Sequence, residues 1–201
     1  MTALFLKLKH RLPLLWRAIE FFNGLLAGML FRHIKRTAVE ILERKTDIQY
    51  EFSLVEDVDL PCLSEFLQSQ LPERTAYFKP HGFDVKTLKR ILKNRGYLLM
   101  KITPTNDNGS MAGYFFLRIF FTGKAFHGLI TGTGYEGRGL GTTMWNTSAQ
   151  ICRANRLKMM ATISSANKAS IISAANGCRI TVEERLPDNY ILIRCEPKEE
   201  V

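Results

Sequence analysis

"TGTGYEGRGLGTTMW", Thr131 to Trp145, places glycines at 132, 134, 137, 139 and 141 between an apolar run and a segment of helical composition. Gly132 to Gly137 matches the dinucleotide pattern GxGxxG. That pattern needs a helix opening within the motif and an acid about 20 residues on. Gly139 and Gly141 hold the helix back to Leu140, and the next strand ends "MATISSAN" with no acid. A P-loop fails as well, because Leu140 stands where Gly134 and Gly139 would require lysine. The frame from Glu136 to Gly141 has a physical use of its own. Consecutive N–H groups of a glycine-rich turn opening on a helix N-terminus form an anion nest. Gly137, Gly139 and Gly141 admit a phosphate to the backbone, Arg138 adds charge, and Thr142 and Thr143 add hydroxyls.

Working outward, the flanking sequence alternates elements. "DIQYEFSLV" (47–55) is strand-like, and 56–71 is helical in period with Pro61 near its first turn. Asp84 caps a helix over 83–94, with Leu88, Ile91 and Leu92 on one face. "GYLLMKIT" and "MAGYFFLRIFF" form a hairpin across the Asn-Asp-Asn-Gly loop, and "KAFHGLIT" leads into the glycines. A helix from Leu140 to about Asn155 follows, then a strand (157–163), a short helix (167–176) and the strands "CRITVEE" and "NYILIRCE". Hairpins first and one strand-loop-helix-strand unit later give an α/β fold of the α+β type: a mixed, mostly antiparallel sheet flanked by helices. A doubly wound sheet would alternate from the start.

The chain has 201 residues, 46% of them hydrophobic, enough for a real core, and a net charge of +9. Residues 1–46 carry +6 of that charge. This stretch reads as a basic amphipathic helical extension preceding a folded domain at 47–201. Leu12 to Phe31 is long enough to span a bilayer, but Arg17 and Glu20 fall inside it, each costing roughly 2.5–3.5 kcal/mol near the centre. Leu12, Leu15, Trp16, Ile19, Phe22, Leu26 and Met29 recur at helical spacing. That stripe is expected to pack on its own domain or a second copy, as a homodimer, or to lie peripherally on an anionic membrane. The aromatics Trp16, Phe21, Phe22 and Phe31 lie within the apolar stretch, not interleaved with basic residues, which argues against nucleic acid. Cys62, Cys152, Cys178 and Cys195 form no CxxC pair and no zinc spacing, so no metal is expected and the thiols read as packed in a cytoplasmic protein.

"YEGRGLGTTMW" after an apolar strand, then helix, strand and "SSANKASIISAANGC", resembles the GNAT superfamily of acyl-CoA-dependent N-acyltransferases. The family signature is Q/R-x-x-G-x-G/A, followed by an Asn-led helix ending at Gly-Phe, and the resemblance covers roughly 48–196. It implies a GNAT-like fold with acetyl-CoA as acyl donor, bound in a splay beyond the third strand. Its pantetheine would pair with Leu129, Ile130 and Thr131, and its pyrophosphate would meet Gly137, Arg138, Gly139, Leu140, Gly141 and Thr142. Asn167 would contact the cofactor arm, and an N–H near Leu129 or Ile130 would hold the oxyanion. Three positions depart from the pattern: Glu136 replaces Gln or Arg, Cys178 replaces Phe, and Ser173 stands where many members have the Tyr that protonates the thiolate.

The attacking amine must lose a proton. His127, on the strand of the oxyanion donor, is the first candidate base, and His81 in "YFKPHGFD" the second. Tyr77 and Phe78 read as packing. The "YFKPHGFD" stretch and "GYFFLRIFF" hairpin are similar to members acting on nucleotide-linked amino sugars, which makes such a small-molecule amine one candidate acceptor beside a peptide N-terminus, a polyamine, another small amine or an O-linked group. The alternative is a catalytically degenerate acyl-CoA-binding scaffold, attached to a membrane or a partner at the inner membrane face through residues 1–46.

Overall fold

The computed structural model describes residues 13–107 and 109–198, with the side chains of 13–17 outside that description. Leu12 and the side chains of Leu15, Trp16 and Arg17 therefore fall outside the described set. Two helices, α1 (Pro13–Leu30) and α2 (Ile34–Glu43), precede strand β1 (Tyr50–Leu54). A 3-10 turn (Asp57–Asp59) runs into α3 (Leu60–Gln68), followed by α4 (Pro72–Thr75) and α5 (Val85–Lys93). Then come β2 (Tyr97–Pro104), β3 (Gly113–Ile119), β4 (Lys124–Thr131), α6 (Leu140–Ala154), β5 (Lys158–Ser164), α7 (Lys168–Gly177), β6 (Cys178–Leu186) and β7 (Tyr190–Pro197).

The seven strands form one sheet in the order β1-β2-β3-β4-β5-β7-β6. Every pairing is antiparallel except β4 with β5, the α/β architecture that the order of hairpins and helices implied. Central strand β3 is buried on both faces. Tyr114 and Phe116 meet α3 and α5, while Phe115, Leu117 and Ile119 meet α2 and α6. This is why "GYFFLRI" is an unbroken apolar run and not an alternating one. Local signals hold where chemistry demands them: Asp84 accepts the Thr87 N–H at 2.9 Å as an N-cap, and Pro61 sits in the first turn of α3. Asp188 and Asn189 take φ of 58° and 60° in the β6–β7 turn, a conformation that these two residue types tolerate.

Two readings of the N-terminus change. Ile34, Ala38, Ile41 and Leu42 of α2 are buried in the same core as β2, β3 and α6, so α2 belongs to the domain and not to an extension ending at 46. The described members of the apolar stripe of α1 do not pack on their own domain. Ile19, Phe22, Leu26 and Met29 are exposed, and the contacts to the domain come from another face of the helix. There Asn23 Nδ2 donates to the Ile119 carbonyl at 2.9 Å, and Arg118 pairs with Glu20 at 3.0 Å. Among the described residues no helix is long and apolar enough to cross a membrane.

Candidate active site

Strands β4 and β5 pair only from Lys124–Lys158 to Phe126–Met160 and then diverge, while β4 stays paired with β3 as far as Thr131. Past that last pair β4 therefore has one side open, from the His127 carbonyl as far as the Thr131 carbonyl, which Arg74 occupies. Strand parity decides which groups face the opening. Gly132 N–H reaches the Ala112 carbonyl on the β3 side, so the even residues of β4 turn to β3 and the odd ones to the splay. Leu129 presents its N–H to the opening. Ile130 does not: its backbone faces β3 and its side chain is buried on the α3–α5 face.

The splay opens into a cleft of about 830 Å³, whose walls include His127 to Thr131, the glycine loop, the start of α6, residues 161–164 of β5, and Asn167 and Ser173 of α7. Gly134, Gly137 and Gly139 have φ of 88°, 71° and 80°, and a Cβ at each would meet open space, so these glycines are required by conformation. The first α6 bond runs from the Thr143 N–H to the carbonyl of the N-cap Gly139 at 3.0 Å; the N–H groups before it point out of the helix end as anion donors. Gly141 serves a different purpose. A Cβ there would come within 3.3 Å of Ser173 Cβ, and one at Gly177 within 2.5 Å of the Thr142 carbonyl, so this glycine pair sets the close approach of α6 and α7.

The remaining candidates divide. Leu140, Thr142, Asn167 and Ser173 all line the cleft. Asn167 also caps α7, accepting the Ser170 N–H at 3.1 Å, and Ser173 Oγ donates to the Ser170 carbonyl at 3.0 Å. Arg138 is turned out of the cleft: its guanidinium lies 5.2 Å from the Tyr135 ring centre and 3.2 Å from Tyr50 Oη. His81 also lies elsewhere. Its Nδ1 donates to the Gly82 carbonyl at 2.9 Å, which leaves Nε2 to accept from the Tyr114 hydroxyl at 3.1 Å in a second cleft. Burial lowers its pKa, and this hydrogen bonding suits the neutral ring.

His127 has the position of a base without the basicity. It lies on the cleft wall, its ring centre 4.4 Å from that of Trp145, and neither nitrogen has a hydrogen-bond partner of standard geometry. Burial pulls its pKa down to about 3, and the nearby Phe116 carbonyl offsets little of that. Burial thus disfavours the imidazolium, and the neutral ring is a poor acceptor for the proton of an ammonium.

Three wall residues escaped the sequence reading. Tyr77, expected to pack, is 47% exposed at the cleft, whereas Phe78 packs between Phe83, Tyr114 and Phe116. Arg74 of α4 donates to the Thr131 carbonyl, on the splay side of β4, and pairs with Glu136, whose carboxylate also accepts the Gly134 N–H at 2.7 Å. Trp145 forms the floor under His127. A loop carboxylate and a basic residue in "PERT" were visible as a pair of opposite charges, but nothing local joins positions 57 or more residues apart. Among the described residues no group of three or more His, Cys, Asp or Glu side chains could hold a metal.

The family model described as acetyltransferase (GNAT) family matches residues 63–173, more than half of the chain. No curated protein matches the sequence. Solved structures share the fold at low identity. Spermidine N-acetyltransferase from Vibrio cholerae, in complex with CoA and spermine, is 14% identical, covers 74% of this chain and 95% of its own, and has a TM-score of 0.60. Ribosomal-protein-S5-alanine acetyltransferase from Vibrio fischeri is 13% identical, covering 74% and 93%, with a TM-score of 0.61. An aminoglycoside acetyltransferase in complex with coenzyme A and kanamycin is 15% identical, covering 74% and 95%, with a TM-score of 0.57.

Proposed function

The chain belongs to the acetyltransferase (GNAT) family and is an acyl-CoA-dependent N-acetyltransferase using acetyl-CoA, and we propose that its acceptor is a primary amine on a nucleotide-linked amino sugar. The observation that carries the reading is the single cleft joining the Leu129 N–H, past the last β4–β5 pair, to the glycine loop at the start of α6. The residues fit an acyl-CoA: an open strand edge for amide pairing, helix-end N–H groups and positive-φ glycines at the anion end. Leu129 N–H is placed to stabilise the oxyanion as the amine nitrogen bonds to the thioester carbon. The C–S bond then breaks and the thiolate leaves with its electron pair. Ser173 is too weak an acid to protonate it, so water supplies that proton.

The amine, on this reading, attacks as its free base, its proton passing to solvent, because burial disfavours a charged His127 and His81 lies in the second cleft. Exposed Tyr77 offers a ring face at the cleft mouth for a nucleotide base or sugar. One fold neighbour acts on an aminoglycoside, itself an amino sugar, which is in keeping with this class. The enzyme, on this reading, works in the cytoplasm, with α1, the segment before the core helix α2, as its attachment to the inner membrane face or a second copy.

The test is acetyl-CoA titration by calorimetry, followed by CoA thiol release with nucleotide amino sugars, spermidine, an aminoglycoside and a peptide N-terminus. Turnover is expected on the nucleotide amino sugar at a kcat/KM at least tenfold above the others. Preference for another amine would overturn the acceptor, and acetyl-CoA binding without turnover on any amine would leave the scaffold reading in its place.

A further inference from the structure

Helix α1 is docked inside out. Glu20, Asn23, Gly24, Ala27 and Gly28 recur every three to four residues and form the face on the domain. Gly24 and Gly28 are tight: a Cβ on them would come within 2.1 Å of Asn94 Oδ1 and 2.6 Å of Arg95 Cδ. Phe121 N–H donates to Asn23 Oδ1 at 3.2 Å, and Ala27 is 1% exposed. The outward face is apolar: Phe21, Phe22, Met29 and Leu30 are 60–67% exposed, with Leu25 and Leu26 at 42%. Such a contiguous patch on a helix needs a cover.

Charge identifies the cover. Beside α1 lies the second cleft, about 840 Å³, lined by Phe21 and Leu25 of the helix and by Arg90, Lys93, Arg95 and Arg118, with Glu20, the partner of Arg118, its one acid. Arg32 and Lys35 stand exposed just past the helix end. Apolar side chains rimmed by cations, on a helix whose described residues are not apolar enough to span, fit the plane of an anionic bilayer, where rings sink into the acyl boundary and cations meet phosphates. A symmetric dimer through the same face would set the two cationic rims against each other.

We propose that the outward face of α1 lies in the interface of an anionic membrane, with the cleft bounded by Arg90, Lys93 and Arg95 receiving a phospholipid headgroup phosphate. This rests on reading α1 as an attachment segment and is independent of acetyl transfer. The test uses the full chain in flotation with phosphatidylcholine vesicles, with and without 30% phosphatidylglycerol, alongside sedimentation velocity and acetyl-CoA calorimetry. Expected are flotation only with the anionic vesicles, weakened by salt, and about fivefold less partitioning for each of Arg90→Gln and Lys93→Gln. Flotation should be lost in the Phe22→Glu/Leu26→Glu/Met29→Glu variant while acetyl-CoA affinity, the fold control, stays unchanged. Equal binding to neutral vesicles would overturn the headgroup assignment. A dimer without flotation, dissociated by the triple variant, would overturn the membrane while sparing the attachment reading, and a monomer that never floats would overturn both.

Discussion

At the scale of the residue, the cleft is governed by a charge that the family pattern does not have. Glu136 places a carboxylate in the anion loop, and Arg74 neutralises it while holding the Thr131 carbonyl. Glu136→Gln removes the repulsion toward a pyrophosphate and is expected to lower the acetyl-CoA KM about two- to fivefold with kcat unchanged, as suits a half-exposed pair. Arg74→Ala leaves the carboxylate uncompensated and raises KM about fivefold, and the double variant returns close to the starting value. Initial-rate kinetics on the four proteins measure the coupling. His127 gives a pH prediction. Its folded pKa, about 3, lies below the ordinary 6.5, so its contribution to stability is complete above pH 6.5 and is lost as pH falls toward 3. His127→Gln should flatten the acid limb of urea-unfolding stability by up to about 1.4 kcal/mol per pH unit across that window. Its kcat should stay within about fivefold of the parent, and log kcat/KM should rise with the ionisation of the acceptor amine, with no inflection near 6.5.

At the scale of the element, the α6–α7 contact fixes where the anion loop ends and where Asn167 and Ser173 begin. Gly177→Ala puts a methyl into the Thr142 carbonyl, and overpacking of this kind costs roughly 1–3 kcal/mol. For a domain of this size thermal unfolding should show a Tm drop of about 2–4 °C per kcal/mol, with acetyl-CoA affinity falling as α7 shifts. The elements themselves were legible, because periodicity and caps are local: "KAFHGLIT" is β4 from end to end, and Asp84 caps as read. Helix α4 was not, since four residues show no period. The orientation of α1 was also hidden. Periodicity shows that a helix has an apolar side, but the docking of Glu20, Asn23 and Gly24 depends on Ile119, Asn94 and Arg118, about 70 to 100 residues away. In the site, the glycine loop could be read from spacing, whereas the choice of Leu129 over Ile130 needed strand parity and the solitude of His127 needed Trp145 beside it.

At the scale of the whole molecule, the chain divides within its first 46 residues and not after them. Removing residues 1–31 leaves the α2 core contacts in place, and the shortened protein should still bind acetyl-CoA. Removing 1–46 strips Ile34, Ile41 and Leu42 from the core, roughly 5–9 kcal/mol of burial against a typical total of 5–15, and the product should fail to fold by circular dichroism and thermal melting. The divergence of β4 and β5 has a wider effect. It leaves the molecule as two plates, β1 to β4 and β5 to β6, stitched along a seam of three residue pairs and spanned by α6. Amide deuterium uptake should be fastest, among the central strands, at Leu129, whose N–H opens past the last β4–β5 pair. A molecule lodged between the plates would slow that uptake on both sides at once, so the mouth that makes room for chemistry is also the line along which the empty protein breathes.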